Sequence, residues 1–322
     1  MQAVVYQKYG GPEVLELAEV EQPTPAADEV LVRVRASSVN PAEWYAMIGI
    51  GVARMQSGWR RPKDPRLGGD FAGVVEVLGA EVSHVKVGDE VYGGRSGGFA
   101  EYVCVKNAVV RKPANASFQE AAAAPTAGLT ALQGLRDHGQ LKAGERVLIN
   151  GASGGVGTFA VQIAKAMGAE VTGVCSTRNV EQTKALGADH VVDYTQEDFS
   201  RLDERYDVFF DVAGGRSWRD CARVLKPDAR FVIVGAPKRG GFLGPLPALI
   251  KLRLGAIGAS QPIKFFIAQF NRPDLDTLRE MIEAGQVKPI VDREYPLRDI
   301  QTAMAYLGEG HARGKIAILM GA

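Results

Sequence analysis

Four glycines fall within the seven residues Gly151-Ala152-Ser153-Gly154-Gly155-Val156-Gly157. They follow the apolar run Val147-Leu148-Ile149 and precede a segment with Phe159, Ile163, Ala166 and Met167 at helical spacing. Strand, glycine turn and helix in that order form a cradle for a dinucleotide pyrophosphate. Aligned on its last glycine the loop reads Ala152-x-Gly154-x-x-Gly157, with alanine where the motif usually opens on glycine. Gly154 would let the backbone approach the pyrophosphate, and Gly157 would let the helix lie close to the strand. Backbone N–H groups from Ser153 and Gly154 to Gly155 and Val156, at the positive end of the helix, would hold the phosphates. A tight turn that binds nothing is the plain alternative, and four glycines in this context speak against it.

About 20 positions beyond such glycines, at the end of the second strand, a carboxylate usually takes the ribose hydroxyls of NAD. Here Cys175 stands there, followed by Ser176, Thr177 and Arg178. A carboxylate would repel a 2′-phosphate, whereas two hydroxyls and a guanidinium attract one. NADPH is therefore expected over NADH. Arg178 as a mere solvated charge is the alternative, and the joint loss of an acid and gain of a base argues against it.

These residues must be positioned by a sizeable fold. The chain has 322 residues, 46% of them apolar, and 38 basic against 37 acidic side chains. That balance carries no footprint for nucleic acid or an anionic membrane surface. Cys104, Cys175 and Cys221 are too few and scattered for a disulfide framework. The N-terminal stretch lacks the basic and apolar regions of a signal peptide, so a cytoplasmic protein with reduced thiols is expected. The most apolar segment, Gly241 to Ser260, contains Pro245, Pro247, Lys251 and Arg253, which is unsuited to a membrane span. It is expected to roof a substrate cleft, with Leu249 and Leu252 in its apolar wall.

From Met1 to about Ala122 short β-like runs alternate with Gly, Pro and Asp turns and show little helical periodicity. From Ala123 to Ser260 apolar strands alternate with amphipathic helices, the pattern of a doubly wound parallel sheet. The closing segments, a helix ended by Gly285, the stretch Pro289–Leu297 and a strand in Gly314–Met320, look unlike another βα unit and are expected to return to the first domain.

At this point the chain resembles the medium-chain dehydrogenase/reductase superfamily, in its zinc-free quinone oxidoreductase (zeta-crystallin-like) branch. The motifs run in order along nearly the whole chain: Val39 to Trp44, Leu67 to Gly79, Ala121 to Leu135, Asn150 to Gly157, Leu186 to Tyr194 and Gly310 to Ile318. The resemblance implies an α/β fold: a GroES-like β domain, 1–122 completed by 261–322, a Rossmann domain at 123–260, and an active site between them. Zinc-dependent relatives hold their metal with a Cys near Asn40, a His-Glu pair where this chain has Gly69-Asp70, and a third ligand near Thr126. His84, His138, His190 and His311 fall in none of these motifs, so no catalytic metal is expected.

By the same resemblance Asn40 and Tyr45 line the nicotinamide end as catalytic residues, Asn40 donating to the substrate oxygen. Thr126 and Thr130 lie near the cofactor carboxamide, and Tyr194 near the adenosine phosphate. Ala213 and Gly235 end the fourth and fifth strands under the cofactor. Arg313 and Lys315 reach it from the other domain, and Asp70 holds a loop. The implied activity is hydride transfer to quinones or α,β-unsaturated carbonyls, small apolar electrophiles whose charge delocalises without a Lewis acid. A zinc-free alcohol or ketone reductase, or a nucleotide-binding protein with little turnover, are the other readings, and a homodimer is expected.

Overall fold

The computed structural model of the 322-residue chain describes residues 1–235 and 243–321, apart from the side chain of Gln56. Gly241 and Phe242 of the apolar segment lie outside the described residues.

Gln2–Val5 (β1) and Glu16–Glu19 (β2) form an antiparallel two-stranded ribbon. Val30–Val39 (β3) buries every residue except Arg33 and Arg35, as expected for a strand in the middle of a sheet. Two helices follow that the β-like reading of this region did not anticipate, Pro41–Ile48 (α1) and Gly51–Ser57 (α2). Their signals are local. Asn40 adopts extended backbone before Pro41, the Glu43 carboxylate accepts from the Asn40 N–H at 2.8 Å, and Gly49 ends the helix at φ 66°. Asp70–Leu78 (β4), Glu90–Gly94 (β5), Tyr102–Val105 (β6) and Val109–Arg111 (β7) complete the first β unit.

Phe118–Ala122 (α3) and Pro125–Gln133 (α4) lead into the second unit. There Arg146–Asn150 (β8), Gly155–Ala166 (α5), Glu170–Cys175 (β9), Val180–Ala185 (α6), His190–Asp193 (β10) and Tyr206–Asp211 (β11) alternate. Trp218–Ala222 (α7), Leu225–Ile233 (β12), Leu246–Gly255 (α8) and Ile263–Phe265 (β13) follow. The sheet order is β10-β9-β8-β11-β12-β13, all parallel. The order reverses between β8 and β11, the switch point where such sheets open a crevice for ligands. The sheet runs past residue 260, because β13 pairs with β12 through Ile263 to Phe265.

Arg272–Glu283 (α9), Val291–Pro296 (β14), Ile300–Glu309 (α10) and Lys315–Leu319 (β15) close the chain. β15 pairs antiparallel with β3, so the chain returns to the first sheet. Contrary to the sequence reading, this closing stretch is itself a βαβ unit: β14 lies parallel to β15 with α10 as the crossover. Exposed charges in β14 hid its strand pattern, while Ile300, Ala303, Met304 and Leu307 bury one face of α10. Helix α9 ties the two units together, since its Leu275 carbonyl accepts from Tyr92 Oη at 2.6 Å and Asp274 Oδ2 accepts from Gln133 Nε2 at 2.8 Å.

In α8, Leu249 and Leu252 pack into the core with Trp218 and Phe231, which corrects their expected place in the cleft wall. One turn apart on the opposite side, Leu246, Ile250 and Leu254 are exposed. A side chain at Gly244 would come 2.8 Å from Ile50, so the start of this segment touches the turn between α1 and α2. Among the described residues no helix is long and apolar enough to cross a membrane.

Candidate active site

The glycine turn joins β8 to α5 with the expected division of labour. A side chain at Gly157 would run into the Gly151 carbonyl, so only glycine lets α5 start this close to the strand. At Gly154 an added Cβ would meet no protein atom nearer than 3.7 Å, which leaves the space a ligand backbone contact requires. The first N–H groups of α5, at Gly155 and Val156, have no intrahelical partner and point into this space. A dinucleotide pyrophosphate fits the cradle. Ala213 and Gly235 close the neighbouring strand ends: the Ala213 N–H donates to the Asn150 carbonyl at 3.1 Å, and a side chain at Gly235 would strike the Val212 carbonyl.

From the end of β9 the chain builds a cavity of about 340 Å³ lined by Ser176, Thr177, Arg178, Tyr194, Thr195 and His311. It unites three of the expected residues, Ser176, Arg178 and Tyr194, with His311 from the other unit. Arg178 donates across the cleft to the His311 carbonyl at 2.7 Å. Cys175 is buried beneath this wall, and the Asp193 carboxylate accepts from the N–H and hydroxyl of Thr195 at 3.0 and 2.7 Å. Arg313 is exposed but not part of the wall; its N–H donates to Asp292 and its carbonyl accepts from Gln182. Thr177 was also expected as a hydroxyl here, whereas Thr195, His311 and Asn179 were missed. Asn179 adjoins Arg178 and lies three residues past Ser176, a local signal; His311 had none.

At the other end of the cleft Ser38, Asn40, Glu43, Asp70, Lys315 and the half-buried Thr126 form one polar network. Asp70 is 0% exposed, Asn40 2% and Lys315 4%. Asp70 Oδ1 accepts from the N–H and hydroxyl of Thr126 at 2.9 and 2.6 Å. Its Oδ2 accepts from Ser38 Oγ at 2.6 Å and Asn40 Nδ2 at 3.0 Å, and pairs with the Lys315 ammonium at 3.3 Å. Lys315 also donates to the Val39 carbonyl and to Asn40 Oδ1. The Asn40 amide is thus engaged at both ends, and the second proton of its Nδ2 faces the Ser38 carbonyl at 3.4 Å and Glu43 Oε1 at 3.5 Å, so the expected donation to a substrate would compete with these longer contacts. The stem of Lys315 packs on Gly155, linking the network to the phosphate cradle. Thr130 Oγ1 donates to the Thr126 carbonyl at 2.6 Å. Burial, with Asp70 close by, pushes Glu43 up to about 7, and burial raises Tyr45 above the usual phenol range.

The positions that carry zinc ligands in zinc-dependent relatives do not form a zinc site here. Two carboxylates lie around Asn40, Asp70 and Thr126: Asp70, whose oxygens accept from Thr126, Ser38 and Asn40 and face an ammonium, and Glu43, which is hydrogen-bonded to Asn40. No cluster of three His, Cys, Asp or Glu side chains suited to a metal occurs among the described residues.

Comparison with known proteins agrees with this geometry. Residues 26–114 match the alcohol dehydrogenase GroES-like domain family, and residues 186–318 match the zinc-binding dehydrogenase family. The chain is 32% identical over 338 residues to the chloroplast envelope quinone oxidoreductase homolog of Arabidopsis thaliana, covering 99% of this chain and 98% of the relative. It is 34% identical over 339 residues to the chloroplastic NADPH-dependent alkenal/one oxidoreductase of the same plant, covering 99% and 79%. The Escherichia coli quinone oxidoreductase, solved in complex with NADPH, superposes with a TM-score of 0.85 at 28% identity, over 99% of this chain and 100% of that one. The chain is an oxidoreductase that uses a nicotinamide cofactor. With both units, the interdomain cleft and near full-length identity in agreement, the chain belongs to the medium-chain dehydrogenase/reductase superfamily, in its zinc-free quinone oxidoreductase branch.

Proposed function

We propose that this protein is an NADPH-dependent reductase that delivers hydride to quinones or α,β-unsaturated carbonyls without a metal ion. The observation that carries the cofactor choice is the cavity wall of Ser176, Arg178 and Tyr194. A guanidinium and two hydroxyls there suit a 2′-phosphate, and no carboxylate is among the described residues that line the cavity. The α5 N-terminus holds the pyrophosphate. Thr130, whose proton is committed to the Thr126 carbonyl, keeps acceptor capacity for a carboxamide N–H.

The dinucleotide supplies the hydride, and the chain supplies position and charge. As hydride reaches the conjugated carbon, electrons move onto the substrate oxygen, where a delocalised anion needs only modest support. Lys315, fixed by Asp70 and Asn40, places an ammonium, ion-paired with Asp70, at that end of the cleft. Tyr45, kept protonated by its burial, is assigned as the proton donor. Asn40 is assigned a positioning part, holding the ammonium. The engaged Asp70 carboxylate and the ammonium beside it support metal independence. The homodimer is kept within this proposal, with the edge strand β13 and its exposed Phe265 as the available pairing surface.

One experiment tests the reading: oxidation of NADPH and NADH against a quinone, an alkenal and a simple ketone, before and after prolonged chelation. NADPH with the quinone or alkenal should be fastest, unchanged by the chelator. Equal use of NADH, faster turnover of the ketone, or zinc-restored activity each overturns its part. Tight NADPH binding without turnover of any substrate would mark a binding protein instead.

A further inference from the structure

We propose that Asn179 sets the direction of two serine hydroxyls, Ser153 and Ser176, turning both into donors toward the phosphates of the dinucleotide. The inference rests on the reading of the cleft as an NADPH site. Asn179 ends the short helical turn Thr177–Asn179 between β9 and α6 and is 5% exposed. Its Nδ2 donates to Ser153 Oγ at 3.0 Å and to Ser176 Oγ at 3.1 Å. Ser153 belongs to the glycine turn, and Ser176 lines the adenosine-end cavity. One amide therefore spans the pyrophosphate cradle and the ribose-phosphate wall.

A hydroxyl carries one proton and can accept through its lone pairs. Each serine accepts from Asn179, and neither hydroxyl donates to another group among the described residues. Both protons are left to point outward. The oxygens of an ionised pyrophosphate or 2′-phosphate only accept, so a hydroxyl with its proton free is the partner they need. The Asn179 Oδ1 is buried without a partner, and that orphan acceptor is the cost of the arrangement. The amide turned over would draw both serine protons inward and strand two N–H donors in place of one carbonyl oxygen. Buried donors are left unpaired more rarely than acceptors, which favours the orientation observed. Asn179 is thus a positioning residue: it acts on the ligand through the two serines, and its own N–H is held by the Ser176 carbonyl at 2.8 Å.

Equilibrium binding tests this without recourse to turnover. Affinities for NADPH, NADH and adenosine 2′,5′-bisphosphate are measured by nicotinamide fluorescence and calorimetry. The proteins are the parent, Asn179→Leu, the pair Ser153→Ala/Ser176→Ala, and the three changes combined. Asn179→Leu should weaken NADPH by about tenfold to a hundredfold, the worth of one or two hydrogen bonds to a charged group. NADH should lose less, since it has no phosphate for Ser176. In the background lacking both serines the same substitution should cost no more than about twofold, the scatter expected for a site whose partners are gone. Equal losses in both backgrounds would mean a structural role and would overturn the proposal. If the leucine variant does not fold, the isosteric Asn179→Asp serves. As an acceptor only, it draws both serine protons inward, so its loss of NADPH affinity must shrink by about tenfold when the serines are absent. A parent that binds neither NADPH nor the bisphosphate refutes the NADPH reading and this inference together. Equal losses in a parent that does bind refute this inference alone.

Discussion

The pair of Lys315 and Asp70 offers a quantitative test of how the returning C-terminal strand is held in the first sheet. Opposite charges 3.3 Å apart attract by about 5 kcal/mol at an effective dielectric of about 20. Lys315→Met keeps the stem that packs on Gly155 and removes only the ammonium. Asp70 would keep the two donors of Thr126 and those of Ser38 and Asn40. Those dipoles solvate the carboxylate without neutralising it, so the loss should be about 3 kcal/mol, below the bare Coulomb figure and at the low end for a broken buried pair. Combining Lys315→Met with Asp70→Asn removes both charges, and Asn40 is then free to turn its carbonyl toward the new amide. The double variant should therefore be less damaged than the sum of the two single ones, with a coupling of about 2 kcal/mol. Urea unfolding of all four proteins at neutral pH, read as midpoint and slope, measures it. A cost below about 1 kcal/mol for Lys315→Met, or additive effects, would show that the contact is not a working ion pair.

Glu43, raised by burial to about 7, holds a proton in the folded state that an ordinary carboxylate of pKa about 4.3 releases on unfolding. The parent should therefore lose stability as pH rises from about 5 to about 7.5, and Glu43→Gln should gain on it across that window by about 1.4 kcal/mol per unit of raised pKa; a pH-independent difference in unfolding midpoints would contradict this. Arg178→Ala should reduce the preference for NADPH over NADH by about 1–3 kcal/mol in fluorescence titrations, through one lost charge-assisted contact. Equal affinity of the parent for both cofactors would remove the basis for it. Ile250→Asp, on the exposed face of α8, should raise KM for apolar substrates more than for small polar ones while leaving NADPH binding unchanged. Parent-like kinetics together with a monomer in sedimentation would make that face an interface instead. Leu252→Asp, by contrast, places a charge among buried apolar side chains and should lower the unfolding midpoint sharply.

The residues legible in advance were those whose signal is local. A glycine at 157 is demanded by the Gly151 carbonyl six residues back, and Ser176 and Arg178 follow directly from where β9 ends. The inner parallel strands declared themselves as apolar runs because they are covered on both faces, whereas the short, exposed edge strand β13 did not. The helix at Pro41 carried equally local signs in Asn40, Pro41 and Glu43, which the surrounding β-like runs obscured. Facing was less legible: α8 is apolar nearly all round, so its sequence did not say that Leu252 turns inward and Ile250 outward. Least legible was the pairing of Lys315 with Asp70, 245 positions apart in the chain. In sequence each is one charge among many. The contact exists because β15 and β4 both pair with β3, one on either side, and bring a lysine and an aspartate to the same buried end of the sheet. The same distance effect recast Asn40. Its place at the cleft was readable from the motif around it, but the state of its amide was set by an ammonium arriving from the far end of the chain. Turn and strand propensities act over a few residues, whereas the partner of a buried charge is chosen by the packing of the whole sheet.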